Sequence, residues 1–153
     1  MYKKNKLNIV LWSVLLSFSL YACGTYNLKL NGQKKYIEKC YENEIEFKAM
    51  GIRSTTCVIY VKALKGDVDF YTDSLNIITY PNNDFRVWFG YDGKKIFGHQ
   101  IIKEKKTLEF HISYGHFGVF VPNTESIHIL PSNFIMCDGK PLVTDTIRIL
   151  CSP

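Results

Sequence analysis

Four histidines (His99, His111, His116, His128) and five cysteines (Cys23, Cys40, Cys57, Cys137, Cys151) are the side chains best suited to hold a metal or act as nucleophiles. Zinc sites draw on closely spaced ligand pairs such as C-x-x-C, because a tetrahedral ion takes two ligands from one turn of chain. The chain has no C-x-x-C, and His111 and His116 are five apart across Gly115, outside the common ligand spacings. The histidines therefore read as surface residues, with His111 beside Glu109 on a solvent face. Nucleophile motifs fare no better: there is no G-x-S-x-G, no H-E-x-x-H and no glycine loop for phosphate. Asp67 with Asp69, and Glu44 with Glu46, are spaced i, i+2, which puts both carboxylates on one face of a strand. That describes a solubilising outer face first, and a calcium or acid–base pair only second. These residues point to a non-enzymatic protein without a cofactor or metal.

Cys23 stands apart from the other thiols. Lys3, Lys4 and Lys6 precede an apolar stretch from Ile9 to Leu20, and Tyr21-Ala22 steps into Cys23, the layout of a secretory signal. The stretch is about 12 residues long, short of the roughly 20 that a spanning helix needs. Leu20-Tyr21-Ala22-Cys23 resembles the lipobox of bacterial lipoproteins, although Tyr21 stands where a small residue is commoner. The resemblance implies that the Cys23 thiol receives a diacylglyceryl group, that a signal peptidase cuts before it, and that the new amino group is acylated. It also implies attachment to the membrane through this lipid. Gly24 in place of Asp implies an outer-membrane address by the rule of enteric bacteria. Ordinary secretion with cleavage near Ala22 is the other reading. Two or more acyl chains anchor stably where one does not, so the rest of the chain needs no apolar surface of its own. The chain then divides into a signal peptide (1–22), a lipidated N-terminus with a polar tether (23–35) and a domain (36–153).

With Cys23 acylated, Cys40, Cys57, Cys137 and Cys151 remain, an even number in an exported chain, and disulfides are the default. Pairing Cys40 with Cys57 and Cys137 with Cys151 meets a geometric obstacle. Cys137 adjoins a turn at Asp138-Gly139, while Cys151 lies about 11 residues beyond it along an extended strand at about 3.3 Å per residue. A disulfide needs its Cα atoms within about 7 Å. Long-range bridges are favoured unless residues 141–144 form a bend.

Charge narrows the partners. The signal peptide holds three of the 19 Lys and Arg and none of the 14 Asp and Glu, which leaves 16 bases against 14 acids, a net +2 after cleavage. Basic residues are interspersed with acids, as in Lys103-Glu104-Lys105-Lys106, and form no phosphate-binding stripe. Nucleic acid is therefore not an expected partner. About 120 residues follow the tether, enough for one domain with one core.

Period-two alternation dominates from Cys57 onward. Cys57, Ile59, Val61 and Ala63 share one face. Val68–Tyr71 and Leu75–Tyr80 follow, each bounded by turn residues. Phe85, Val87, Phe89 and Tyr91 alternate with Arg86 and Trp88, Asp92-Gly93 supplies a hairpin turn, residues 95–102 return, and Leu108, Phe110, Ile112 and Tyr114 alternate with Glu109 and His111. This predicts three successive antiparallel strands. Ile127 and Ile129, Phe134–Cys137 before Asp138-Gly139, and Ile147, Ile149 and Cys151 complete the pattern. Residues 34–50 fit a strand pair with Ile45, Phe47 and Ala49 inward, or a helix capped by Gly51; the clean alternation of the second half favours strands. The prediction is an all-β fold, a single antiparallel β-sandwich of immunoglobulin-like type.

Aromatic residues carry the best claim to binding. Tyr80, Trp88, Tyr91, Phe97, Tyr114 and Phe117 fall near the meander, and an exposed Trp with neighbouring Tyr can stack on a sugar or anchor a protein. Tyr80, Trp88, Tyr91 and Phe97 are the expected ligand or partner surface. The plainer reading packs Trp88 against the second sheet and turns Phe89 outward. Three functions compete: a lipid-anchored cell-envelope module that binds another protein, a glycan or small-ligand binder, and an inhibitor of hydrolases.

Overall fold

The computed structural model describes residues 25–52, 56–81, 84–114, 125–142 and 145–151. The signal peptide, Cys23, His116 and Phe117 lie outside the described residues. Within them the chain is built of antiparallel strands, with no α-helix. It opens with β1 (Thr25–Leu30), β2 (Tyr36–Cys40), β3 (Asn43–Ile52) and β4 (Thr56–Lys65). Then come β5 (Val68–Tyr71), a single 3-10 turn (Thr72–Ser74) and β6 (Ile77–Tyr80). β7 (Phe85–Tyr91), β8 (Lys94–Ile96), β9 (His99–Ile102) and β10 (Thr107–Tyr114) follow. The chain closes with β11 (Ser126–Ile129), β12 (Ile135–Cys137), β13 (Lys140–Pro141) and β14 (Ile147–Leu150).

One long sheet runs β6-β11-β14-β1-β3-β4-β10-β7-β8, with β2 also paired to β3, and a second runs β13-β12-β5-β9. β1 is the joint in the long sheet: residues 25–28 pair with β3, while Lys29 and Leu30 pair with β14. The other half of the same β3 edge is taken by β2, with Tyr36 opposite Phe47 and Cys40 opposite Asn43. β3 alternates buried and half-buried residues along its whole length, so every second side chain, Ile45, Phe47 and Ala49 among them, enters the core. Strands rather than a helix therefore occupy residues 34–50.

The core is one cluster of apolar side chains drawn from both sheets, from Leu28 to Ile149. At its centre Phe70 of β5 meets Phe89 at 5.8 Å, Phe110 at 6.4 Å and Phe134 at 5.9 Å between ring centroids. The first two of these contacts place the second sheet over the inner face of β7 and β10. Cys40 of β2 and Cys137 of β12 form a disulfide across the sheets, with Cα atoms 6.1 Å apart and 97 residues between them in sequence. This is a long-range bridge, the kind favoured from the sequence, although β13 ends at Pro141 and no single extended strand runs from Gly139 to Cys151. Cys57 and Cys151, the other disulfide candidates, are free thiols.

Three sequence expectations are corrected. The predicted meander is interrupted, because β10 pairs directly with β7, while the returning chain splits into β8 on the far side of β7 and β9 on β5. Gly98 makes that departure, with φ of +69°, a conformation that costs glycine little. Its N–H donates to Thr72 Oγ1 at 2.7 Å and its carbonyl accepts from Thr72 N–H at 3.0 Å, pinning the turn to the second sheet. Next, residues 23–35 are not a tether throughout: Thr25 is already paired opposite Ile52, because burial of Leu28 and Leu30 stabilises the segment as strand. Finally, Trp88 faces outward and Phe89 inward, so the plainer reading of that pair is reversed. Phe110 lies opposite Phe89 and His111 opposite Trp88, and the buried phenylalanines hold that parity.

Candidate functional site

The outer face of β3, β4, β10 and β7 is set by strand register. Glu109 sits between Tyr60 on β4 and Gly90 on β7, and His111 sits between Val58 and Trp88. On the next strand Lys48 lies opposite Tyr60 and Met50 opposite Val58. These residues occupy the outward half of each alternation, so the core does not need them and they are available for recognition. Val58 is the exception, fully buried although it faces outward between Met50 and His111.

A groove of about 500 Å³ runs over this face, lined by Tyr60, Gly90, Asp92, Lys105, Lys106 and Glu109. A smaller depression of about 190 Å³ adjoins it on the β3 side, where Lys48, Met50 and Lys62 meet Tyr60. Gly90 shapes the groove floor: a Cβ there would stand 3.0 Å from Glu109 Oε1 and 3.1 Å from its Cγ. A larger residue there would crowd the Glu109 side chain, which would have to shift by a few tenths of an ångström. The Tyr60 hydroxyl is pushed above its ordinary range, by burial first and by the Glu109 carboxylate second, so it stays a hydrogen-bond donor at neutral pH.

Trp88 stacks on His111 with ring centroids 3.5 Å apart and planes 13° from parallel, and remains 36% exposed. His111 Nε2 lies 3.5 Å from Glu109 Oε1 and makes no hydrogen bond among the described residues. Burial lowers the His111 pKa, against a weaker opposite pull from Glu109, and the imidazole is neutral near pH 7. With Nε2 buried and Trp88 over the ring, His111 is placed to support Trp88, not to exchange protons with a substrate.

The four residues expected to form one surface are scattered. Trp88 lies on the groove face. Tyr91, three residues on, points inward against the core, and its hydroxyl accepts from Lys103 N–H at 3.1 Å. Phe97 is 74% exposed in the connection between β8 and β9, with the Lys95 ammonium 5.3 Å from its ring centroid. Tyr80 is 47% exposed at the end of β6, its ring centroid 4.6 Å from that of His128. Sequence reasoning missed Tyr60, Lys105 and Lys106 as groove residues. Their outward positions were legible, but only the register Tyr60–Glu109–Gly90 brings them together.

The other described histidines and the two free thiols lie apart from this face. His99 Nε2 is 2.7 Å from Asp69 Oδ1, and its ring stacks on Tyr71 at 4.7 Å, on the second sheet. His128 is lowered by burial and then by Arg148. Burial pushes the Cys57 thiol far up, with a smaller contribution from Cys151, and pushes Cys151 up to about 11. Both thiols are therefore protonated at neutral pH, and thiols in that state are poor nucleophiles. Among the described residues no three His, Cys, Asp or Glu side chains are grouped to hold a metal ion.

No protein-family model matches the sequence, and neither a curated protein nor a solved structure shows significant similarity to it.

Proposed function

We propose that this is a bacterial cell-envelope lipoprotein, acylated at Cys23, whose immunoglobulin-like sandwich binds a partner without catalysing a reaction. The groove on the outer face of β4, β10 and β7 carries this reading. It combines an aromatic hydroxyl and a carboxylate on the sheet, Tyr60 and Glu109, with the Asp92 carboxylate and the Lys105 and Lys106 ammonium groups on the adjoining turns. The signal layout and the Leu20–Cys23 lipobox support the anchor, and Gly24 supports the outer membrane as the address. The alternative of a hydrolase inhibitor has no comparable observation behind it.

Chemical crosslinking in the native envelope, followed by affinity capture and mass spectrometry, tests the main reading. A specific partner is expected, lost in Cys23→Ala and weakened in Glu109→Lys. Recovery of the monomer alone counts against a protein partner.

A glycan is the second reading, favoured by one observation: Trp88 is exposed on the groove face and held flat by His111, the arrangement that stacks on a sugar ring. Titration of envelope oligosaccharides against tryptophan fluorescence is expected to give a saturable change that Trp88→Ala abolishes. No change across the set removes this reading.

A further inference from the structure

We infer that the domain is not free on a leash: the acylated Cys23 holds the sheet end formed by Thr25, Ile52 and Thr56 against the lipid headgroups, and the groove lies toward the opposite end. This rests on acylation at Cys23, as proposed above. The new element is orientation, and it comes from the position of β1.

Only Gly24 separates Cys23 from Thr25. Two extended residues reach at most about 7 Å, so Thr25 cannot leave the membrane surface by more than that. Thr25 in turn has no slack against the domain. It is paired opposite Ile52, with Tyr26 opposite Gly51 and Leu28 opposite Ala49, and Leu28 is buried in the core. Ile52 lies opposite Thr56 at the start of β4, and Thr56 lies opposite Ser113 near the end of β10. A short covalent link thus becomes a fixed end of the sheet.

Charge is distributed to suit that placement. Thr25, Ile52, Thr56 and Ser113 are uncharged, and Thr56 Oγ1 shares a hydrogen bond with Ser113 Oγ at 3.3 Å. Among the described residues, exposed charge at this end comes from Asp84 and Arg86, at the start of β7. The opposite end holds the Lys103–Asp67 pair at 2.7 Å and the Lys106–Asp92 pair at 3.3 Å, with Lys65 3.7 Å from Glu42. Among the described residues, these three exposed ion pairs all lie at the far end. From Ile52 to Asn43, β3 covers nine residues, roughly 30 Å. Thr107, at the groove, is six residues along β10 from Ser113, roughly 20 Å from the membrane-facing end. A partner would therefore be met at a distance from the membrane surface.

The test uses the mature lipoprotein, isotope-labelled, in nanodiscs of phosphatidylethanolamine and phosphatidylglycerol doped with a gadolinium-headgroup lipid. Amide signals of Ile52 and Thr56 are expected to vanish while those of Asn43, Lys65 and Lys106 persist. A flexible Gly/Ser insertion after Gly24 is expected to abolish the difference. Uniform attenuation, or greater loss at Asn43 and Lys65, overturns the orientation. Loss at Ile52 and Thr56 that survives the insertion also overturns it, since the link would then not be the cause. Mass spectrometry of the same sample separates the two levels: an unacylated chain that fails to enter nanodiscs refutes the anchor itself and the orientation with it.

Discussion

Asp67 shows how a single side chain fastens the fold. Its carboxylate accepts from Lys103 Nζ at 2.7 Å and from the Glu104 N–H at 2.9 Å, while its own carbonyl accepts from Asn43 Nδ2 at 3.1 Å. Two turns, before β5 and before β10, are thereby held together. The hydrogen bonds from Lys103 and from the Glu104 backbone lower the Asp67 pKa. A carboxyl lowered on folding contributes stability that is present above its unfolded pKa, near 4, and is lost as pH falls through the lower folded value. Asp67→Asn is therefore expected to lower the melting temperature at pH 7, with the difference from the parent shrinking as pH drops below about 4. An equal deficit at pH 7 and pH 3 would show that the charge is not what matters. Lys103 shifts the opposite way, raised first by its hydrogen bond to Asp67. Its contribution is present below the ordinary lysine pKa and lost as pH rises through the folded one.

At the scale of elements, the decisive pieces are β3 and the two short strands that bring in the second sheet. β3 pairs with β1, β2 and β4, so one ten-residue strand organises the middle of the long sheet. β12 is only three residues long and cannot be stable alone. Its attachment comes from pairing with β5 and β13, burial of Ile135 and the bridge from Cys137 to Cys40. Reducing that bridge is expected to cost about 2–4 kcal/mol, read as a lower urea midpoint, with the amides of β12 and β13 exchanging faster than those of β3. An unchanged midpoint would mean that the native chain does not depend on the bridge. Most of these strands were legible in the sequence, because alternation reports burial one residue at a time. The split of residues 95–102 into β8 and β9 was not, since both halves have strand-like composition and only Thr72, 26 residues away, fixes where the chain leaves the sheet.

For the molecule as a whole, one apolar core joins both sheets, and the groove lies on the opposite side of β4, β10 and β7 from it. Core and groove use alternate residues of the same strands, so the packing that fixes the fold also fixes the groove face. β1 joins the two branches of the long sheet and begins two residues after Cys23, so under the proposed acylation of Cys23 the same hydrogen bonds that complete the sheet would set the reach of the anchor. Groove residues were only partly legible beforehand. Tyr60 and Glu109 fell on outward positions, whereas Lys105 and Lys106 read as an ordinary solvated turn.

By itself the sequence determined the all-β class, the inward and outward parity of most strands, and the hairpin turns at Asp92-Gly93 and Asp138-Gly139, and it favoured a long-range disulfide on the premise that the chain after Gly139 stays extended. All of these follow from local chemistry: side-chain period, the positive φ that short turns demand, and the reach of an extended chain. Tertiary structure alone decided that Cys40 pairs with Cys137, that β1 rather than a loose tether follows Cys23, and that Tyr60, Glu109 and Gly90 line up across three strands. The physical reason is the same in each case. Register between strands distant in sequence depends on how the whole core packs, and a shift of one residue would turn every side chain to the other face.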